Sequence, residues 1–181
     1  MADTRREERR SQIEAAAFEV LEEMGYRKAS MLQIAKRAQA SNETLYAWYG
    51  SKQKLFRAII EENAKALKVA VAETIGGEVD PKRSLERFGC LLLKFTATEK
   101  AIIFNRAAIA DVADTGVLAR AIEESARSVI LGLLATLLVA LERTGHYRFN
   151  DRGTEAAEVF VSLLLGELQM QQALGTIPAL T

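Results

Sequence analysis

The sequence predicts an all-α protein, and three observations carry that prediction. Apolar residues recur at helical spacing through stretches too long to be strands. Only two prolines fall in 181 residues, and turn-forming residues rarely cluster. Residues 30–56, SMLQIAKRAQASNETLYAWYGSKQKLF, divide into two short helical pieces around a polar bend, followed by the start of a longer helix. No stretch reads as a convincing strand, and no internal repeat is evident.

A first helix is expected from about Arg5 to Met24, because Ile13, Ala17, Val20, Leu21 and Met24 form one apolar stripe. Gly25 is placed to end it. Ser30 reads as the N-cap of a second helix, with Gln33 three residues on completing a capping box. Ile34, Ala35 and Ala38 share one face of that helix. Leu45 and Trp48, three apart, share a face of the third. The bend Gln39-Ala40-Ser41 lies between them, and Ser41 can cap the helix that follows. Two short helices crossing around a small core make a helix-turn-helix. With only a methyl at Ala35 the pair can approach closely, leaving the far side of the third helix open to a DNA groove.

Ser51 is the expected cap of a fourth helix reaching about Thr74, with Leu55, Phe56, Ile59, Ile60, Ala64, Leu67 and Val71 along it. Gly76-Gly77 breaks the pattern. Asp80-Pro81 signals the start of a fifth helix to about Phe95. A sixth runs from Glu99 to about Val112, and a seventh from near Gly116 to Arg143, with a break considered near Gly132. Thr144-Gly145 stops it, and a last helix begins after Asp151 and ends near Gly175. The predicted organisation is a helix-turn-helix domain over 1–56 and a helical bundle over 57–181. The fourth helix leaves the first part and enters the second, as a mechanical link.

Composition narrows the function classes. The chain carries 24 basic and 24 acidic residues, and residues 1–57 hold eleven Lys/Arg against eight Asp/Glu. Any grip on DNA must therefore come from a local patch rather than a global field. Cys90 is alone, which leaves no disulfide framework or cysteine metal site within one chain and fits a reducing cytoplasm. The start, MADTRREERRSQ, has no apolar core and does not read as a signal peptide. The longest apolar run, Val129 to Leu141, spans thirteen residues, short of the about 20 a membrane helix needs. His146 lies in a Gly-His-Tyr turn and Cys90 among Phe88, Leu91 and Leu92, where a small buried hydrophobe is the default. No catalytic pair, phosphate loop, metal cluster or cofactor site is indicated.

Ile34-Ala35, Ser41, Thr44-Leu45-Tyr46, Trp48-Tyr49 and Ser51-Lys52-x-x-Leu55, with Ala16, Ala17, Gly25 and Tyr26 before them, resemble the DNA-binding domain of the TetR family of bacterial regulators. The resemblance covers roughly residues 6–60. It departs at Gln39, where the family usually has Gly, at Ala40, at Glu43, and at Trp48-Tyr49 in place of His-Phe. Gln39 strains the turn, since Gly is the residue most at ease in left-handed conformations.

Affinity for duplex DNA comes mainly from phosphate contacts through Lys, Arg, hydroxyls and helix N-termini. The candidates are Arg5, Arg6, Arg9, Arg10, Ser30, Gln33, Tyr46, Tyr49, Lys52 and Lys54. The resemblance implies DNA contacts at Thr44, Tyr46, Tyr49 and Lys52. Base reading is expected from Ser41, Asn42, Glu43, Thr44 and Ala47 at the exposed start of the third helix. The resemblance further implies a homodimer on a pseudo-palindromic operator, a C-terminal pocket for a small-molecule effector, and a pairing of the last two long helices with their twofold mates. An apolar or aromatic effector is expected from Phe88, Leu92, Phe95, Phe104 and Ile109, with Asn105 and Arg106 as polar readers. Leu134, Leu138, Leu141, Phe160, Leu163, Leu164 and Glu167 are the expected dimer face. The leading reading is a repressor released from DNA by its effector. The alternative is an all-α protein-interaction module with a degenerate helix-turn-helix, which Gln39 and Glu43 alone favour.

Overall fold

The computed structural model describes residues 2–75, 80–149 and 153–180, and these contain helices and turns but no strand. Helix α1 spans Ala2–Lys28, α2 Met31–Arg37, α3 Asn42–Tyr49 and α4 Lys52–Ile75. They are followed by α5 Pro81–Thr96, α6 Glu99–Val112 and α7 Val117–Ala121. A π-helical turn, Ile122–Arg127, joins α7 to α8 Ser128–Glu142. Two helices close the chain, α9 Thr154–Leu165 and α10 Leu168–Leu174.

The starts of these helices are written locally. Ser30 Oγ accepts from the Gln33 amide at 3.3 Å, the N-cap half of the expected capping box, and donates to Gln33 Oε1 at 2.8 Å, so the Gln33 side chain meets the Ser30 hydroxyl. Ser41 Oγ accepts from the Thr44 amide at 3.0 Å, and Ser51 Oγ from the Lys54 amide at 3.2 Å. Asp80 accepts from the Lys82 amide at 3.0 Å, with Pro81 in the first turn, where it lacks nothing a helix start needs. Gly25, at φ 74 and ψ 163, interrupts α1 where the sequence places its end.

Three expectations are corrected. The stretch before Arg143 does not break at Gly132; it departs from α-geometry at the π turn Ile122–Arg127 instead. The last helix is two helices, parted at Gly166 with φ 46 and ψ −129, a backbone that side-chain-bearing residues rarely adopt. Cys90 is exposed on α5 rather than buried. Gly76-Gly77 and Asp151 lie outside the described residues.

Two compact units emerge. The first is Met1–Glu61 with Ile103–Ala121, and the second is Glu62–Ile102 with Ile122–Thr181. These divide the chain differently from a cut after residue 56, because 103–121 packs with the N-terminal helices. Ile13, Ala17, Val20 and Leu21 of α1, Ile34 and Ala35 of α2, and Leu55, Phe56, Ile59 and Ile60 of α4 are buried in the first unit. Phe104, Ala107, Ala108 and Leu118 of the inserted segment are buried too, with Phe104 against Phe18 at 6.1 Å between ring centroids. Met24, expected on the α1 stripe, is exposed beside the Gly25 interruption.

The second unit is a helical bundle. Leu67 and Val71 of α4, Phe88 and Leu92 of α5, Ile130, Leu134 and Leu138 of α8, and Ala157 and Val161 of α9 form its core. Gly89 lets α9 approach α5: a Cβ there would stand 3.3 Å from Phe160 Cζ. The helical run Val117–Glu142 is long and apolar enough to cross a membrane by length and composition. Its Ile130, Leu134, Leu138 and Leu141 are buried within the unit.

Candidate nucleic-acid interface

Helix α3 has eight residues and two opposed faces. Leu45 and Tyr49, four apart, are buried and hold the helix to its own support. Glu43 and Ala47 are exposed on the far side, Asn42 is exposed at the helix start, Tyr46 is exposed on the flank at 49%, and Thr44 is half-buried. Thr44 Oγ1 lies 2.8 Å from Ser41 Oγ, so the two hydroxyls at the helix start hold each other. A short rod that is anchored on one side and polar on the other suits a major groove, which admits one α-helix.

The turn before α3 is tight. Gln39 takes φ 52, the left-handed conformation that the sequence suggested a glycine would occupy more easily. The Ala40 amide bonds the Ala35 carbonyl at 2.9 Å across the bend. From α1, Arg9 Nη2 donates to the Gln39 carbonyl at 2.6 Å.

Several predicted contacts are placed differently. Trp48 is not the inward partner of Leu45; it is 38% exposed, and the Arg6 guanidinium stands 5.7 Å from its ring centroid. In an eight-residue helix, i+3 and i+4 compete for one core slot, and Tyr49 takes it. Tyr49, expected among the DNA contacts, is therefore buried in the core of its own unit. Burial raises its pKa, nearby Glu14 raises it further, and Arg10 opposes both. Ser30 and Gln33 are half-buried and bonded to each other in the cap. Arg5 and Arg6 are exposed on the first turns of α1.

Lys52, in the first turn of α4, is turned inward in part. Its Nζ donates to the Tyr26 carbonyl at 2.8 Å and stands 4.3 Å from the Tyr26 ring centroid. Burial lowers its pKa, and Asp114 and Asp111 counter that pull. An ammonium has three donors, so a phosphate can still be met by the remaining two.

Asp111 was missed by the sequence reading. It is fully buried at the end of α6, and accepts from Tyr26 Oη at 2.9 Å, Thr115 Oγ1 at 2.9 Å and the Leu118 amide at 3.2 Å. Burial pushes its pKa up, but the hydrogen bonds from Leu118, Thr115 and Tyr26 outweigh it and hold the carboxyl below its ordinary value. A signal was present: Asp111 follows Ala107 and Ala108 at helical spacing, on the buried face.

The C-terminal candidates scatter. Phe88 and Leu92 are buried in the core of the second unit, and Phe95 packs against that core. Phe104, Asn105, Arg106 and Ile109 belong to the first unit; Phe104 is buried there, Asn105 half-buried, Arg106 exposed and Ile109 62% exposed. A surface concavity of roughly 310 Å³ on α8, lined by Ala135, Thr136, Val139, Ala140 and Arg143, contains none of these seven. Leu134, Leu138 and Leu141 are buried in their own chain, and Phe160 and Leu164 approach Gly89 of α5. Of the expected dimer face, Leu163, 80% exposed, and Glu167 point outward.

Residues 13–59 match the family model of "Bacterial regulatory proteins, tetR family". Residues 83–181, more than half the chain, match that of the "AefR-like transcriptional repressor, C-terminal domain". The activator FasR of Mycolicibacterium smegmatis is 35% identical over 80 residues, which are 44% of this chain and only 36% of that protein. The solved structure of the flavonoid-responsive regulator FrrA is similar at TM-score 0.72 and 29% identity, over 96% of this chain and 87% of that one. A TetR-family regulator from Mesorhizobium loti superposes at TM-score 0.80 and 21% identity, over 96% and 86%. With the exposed face of α3, these matches set aside the interaction-module alternative. The chain belongs to the TetR family and is a DNA-binding transcriptional regulator, not an enzyme.

Proposed function

We propose that this regulator is a homodimeric, cytoplasmic repressor that binds a pseudo-palindromic operator and is released from it by a small apolar or aromatic molecule. Residues 1–56 would read DNA, and 57–181 would hold the effector and the dimer face. The observation that carries the reading is the two-sided α3, with Asn42, Glu43, Tyr46 and Ala47 exposed and Leu45 and Tyr49 buried. Two such helices need half-sites about one DNA turn apart, roughly 34–36 Å, which requires a dimer.

The dimer face is supported by exposed apolar residues at helical spacing, Val159 and Leu163 on α9 and Met170 and Leu174 on α10. Repression is supported by the C-terminal family description, whose match is longer than the stretch shared with the activator FasR. An aromatic effector is supported by the likeness to flavonoid-responsive FrrA. Release follows if the effector prefers a state whose reading heads no longer fit both grooves; its leverage is its difference in affinity between the two states.

The test is selection from a random duplex pool, followed by titration of the selected DNA with flavonoid aglycones and, separately, with fatty acids of similar size. The proposal expects a twofold-symmetric site and release by an aromatic compound. A tight ligand that leaves operator affinity unchanged would contradict the release mechanism.

A further inference from the structure

Tyr26 is held at both ends. Its hydroxyl donates to Asp111 Oδ1 at 2.9 Å, across 85 positions of sequence, and its carbonyl accepts from Lys52 Nζ at 2.8 Å. Its ring lies edge-on to Phe56 at 5.7 Å and beneath the Lys52 ammonium at 4.3 Å. The remaining bonds of the Asp111 carboxylate are local, to Thr115 and the Leu118 amide, and those already close the corner between α6 and α7. The bond to Tyr26 is the one that leaves that corner.

We propose that Asp111 is a positioning residue for the DNA-contacting Lys52, acting through Tyr26. This rests on the reading of Lys52 as a phosphate contact. A lysine side chain is rotamer-rich, and ordering it on binding weakens affinity unless the order already exists. Here the Tyr26 carbonyl and ring fix the ammonium at the start of α4, and the Asp111 bond fixes the ring. The operator grip of residue 52 therefore depends on a carboxylate in the inserted segment 103–121, whose chain continues at both ends into the second unit. That segment can thus set how well Lys52 meets a phosphate without itself touching DNA.

The experiment compares wild type, Tyr26→Phe, Asp111→Asn and Lys52→Ala, together with Tyr26→Phe/Lys52→Ala. Each is titrated by fluorescence anisotropy against a mixed-sequence DNA duplex over a series of NaCl concentrations, with the folded fraction set by circular dichroism. Tyr26→Phe keeps the ring and loses only the hydroxyl, so it decides the question even where Asp111→Asn folds poorly. Tyr26→Phe and Asp111→Asn are each expected to bind about three- to tenfold more weakly. The slope of log affinity against log salt should shrink by about 1 per protomer, matching Lys52→Ala. The double variant should be no weaker than Lys52→Ala alone. A Tyr26→Phe protein with the wild-type slope, beside a Lys52→Ala protein with a reduced one, overturns the relay while leaving the DNA-binding reading intact. A Lys52→Ala protein with the wild-type slope overturns the relay by removing Lys52 from the contacts. Wild-type binding that ignores salt contradicts the phosphate reading itself.

Discussion

Arg9 reaches from α1 to the backbone carbonyl of Gln39 at 2.6 Å, and Gln39 is the non-glycine residue with positive φ among the described residues. The strained turn of the helix-turn-helix is thus held by a charge-assisted bond from another helix. Gln39→Gly should relieve the left-handed strain and raise stability by about 0.5–1 kcal/mol, net of the freer unfolded chain. Arg9→Ala should lower it by about 1–2 kcal/mol. Urea unfolding of the three proteins checks both signs.

Tyr46 and Tyr49 lie three residues apart and do different work. Tyr46 is half exposed on the flank of α3, whereas Tyr49 is buried beside Arg10 and Glu14. Tyr49→Phe should leave DNA affinity within about twofold. Tyr46→Phe should weaken binding by about 1 kcal/mol if its hydroxyl meets a phosphate. Anisotropy titrations at one fixed salt concentration compare them; the reverse order would restore Tyr49 as a contact.

Leu134 and Leu163 separate core from surface. Leu134 is fully buried among α5, α8 and α9, and Leu163 is 80% exposed. Leu134→Ala should cost about 2–5 kcal/mol of stability. Leu163→Arg should leave the helical spectrum unchanged and shift a dimer toward monomer, since a charge cannot be buried in an apolar contact cheaply. Light scattering coupled to size exclusion reads the second outcome and thermal unfolding the first.

Asp111 should appear in the acid limb of stability. Its pKa in the folded state lies below the ordinary carboxylate value, so its contribution is complete above that value and fades as pH falls through the depressed one. At neutral pH, Asp111→Asn should be less stable than wild type by about 1–3 kcal/mol. Below about pH 4 the gap should narrow, because the wild-type group becomes protonated and the asparagine does not. Denaturant midpoints between neutral pH and the acid limit measure it.

How much of this was legible depended on how far each interaction reaches along the chain. Ser30, Ser41 and Ser51 cap their helices through bonds spanning three residues, so the motif alone located them. The α4 stripe from Leu55 to Val71 is buried as its spacing implies, because that spacing repeats over five turns. Trp48 and Tyr49 were exchanged because a two-turn helix gives periodicity too little length to choose between neighbours. The partnership of Tyr26 with Asp111 is tertiary and leaves only a polar residue on an apolar face as its trace. Gly166 parts α9 from α10 inside an otherwise continuous apolar pattern, where one glycine is weak evidence of a break. Leu134 and Leu163 lie in the same kind of apolar stripe, and spacing cannot say which neighbour, its own chain or another, covers each.

Selection of binding sites by wild type and by Asn42→Ala tests the proposed reading of DNA by α3. Wild type is expected to enrich a twofold-symmetric site with half-sites about one helical turn apart. Asn42→Ala should relax preference at a matched position in each half while keeping its salt dependence. An identical selected site for both proteins, with the same preference at every position, would contradict it.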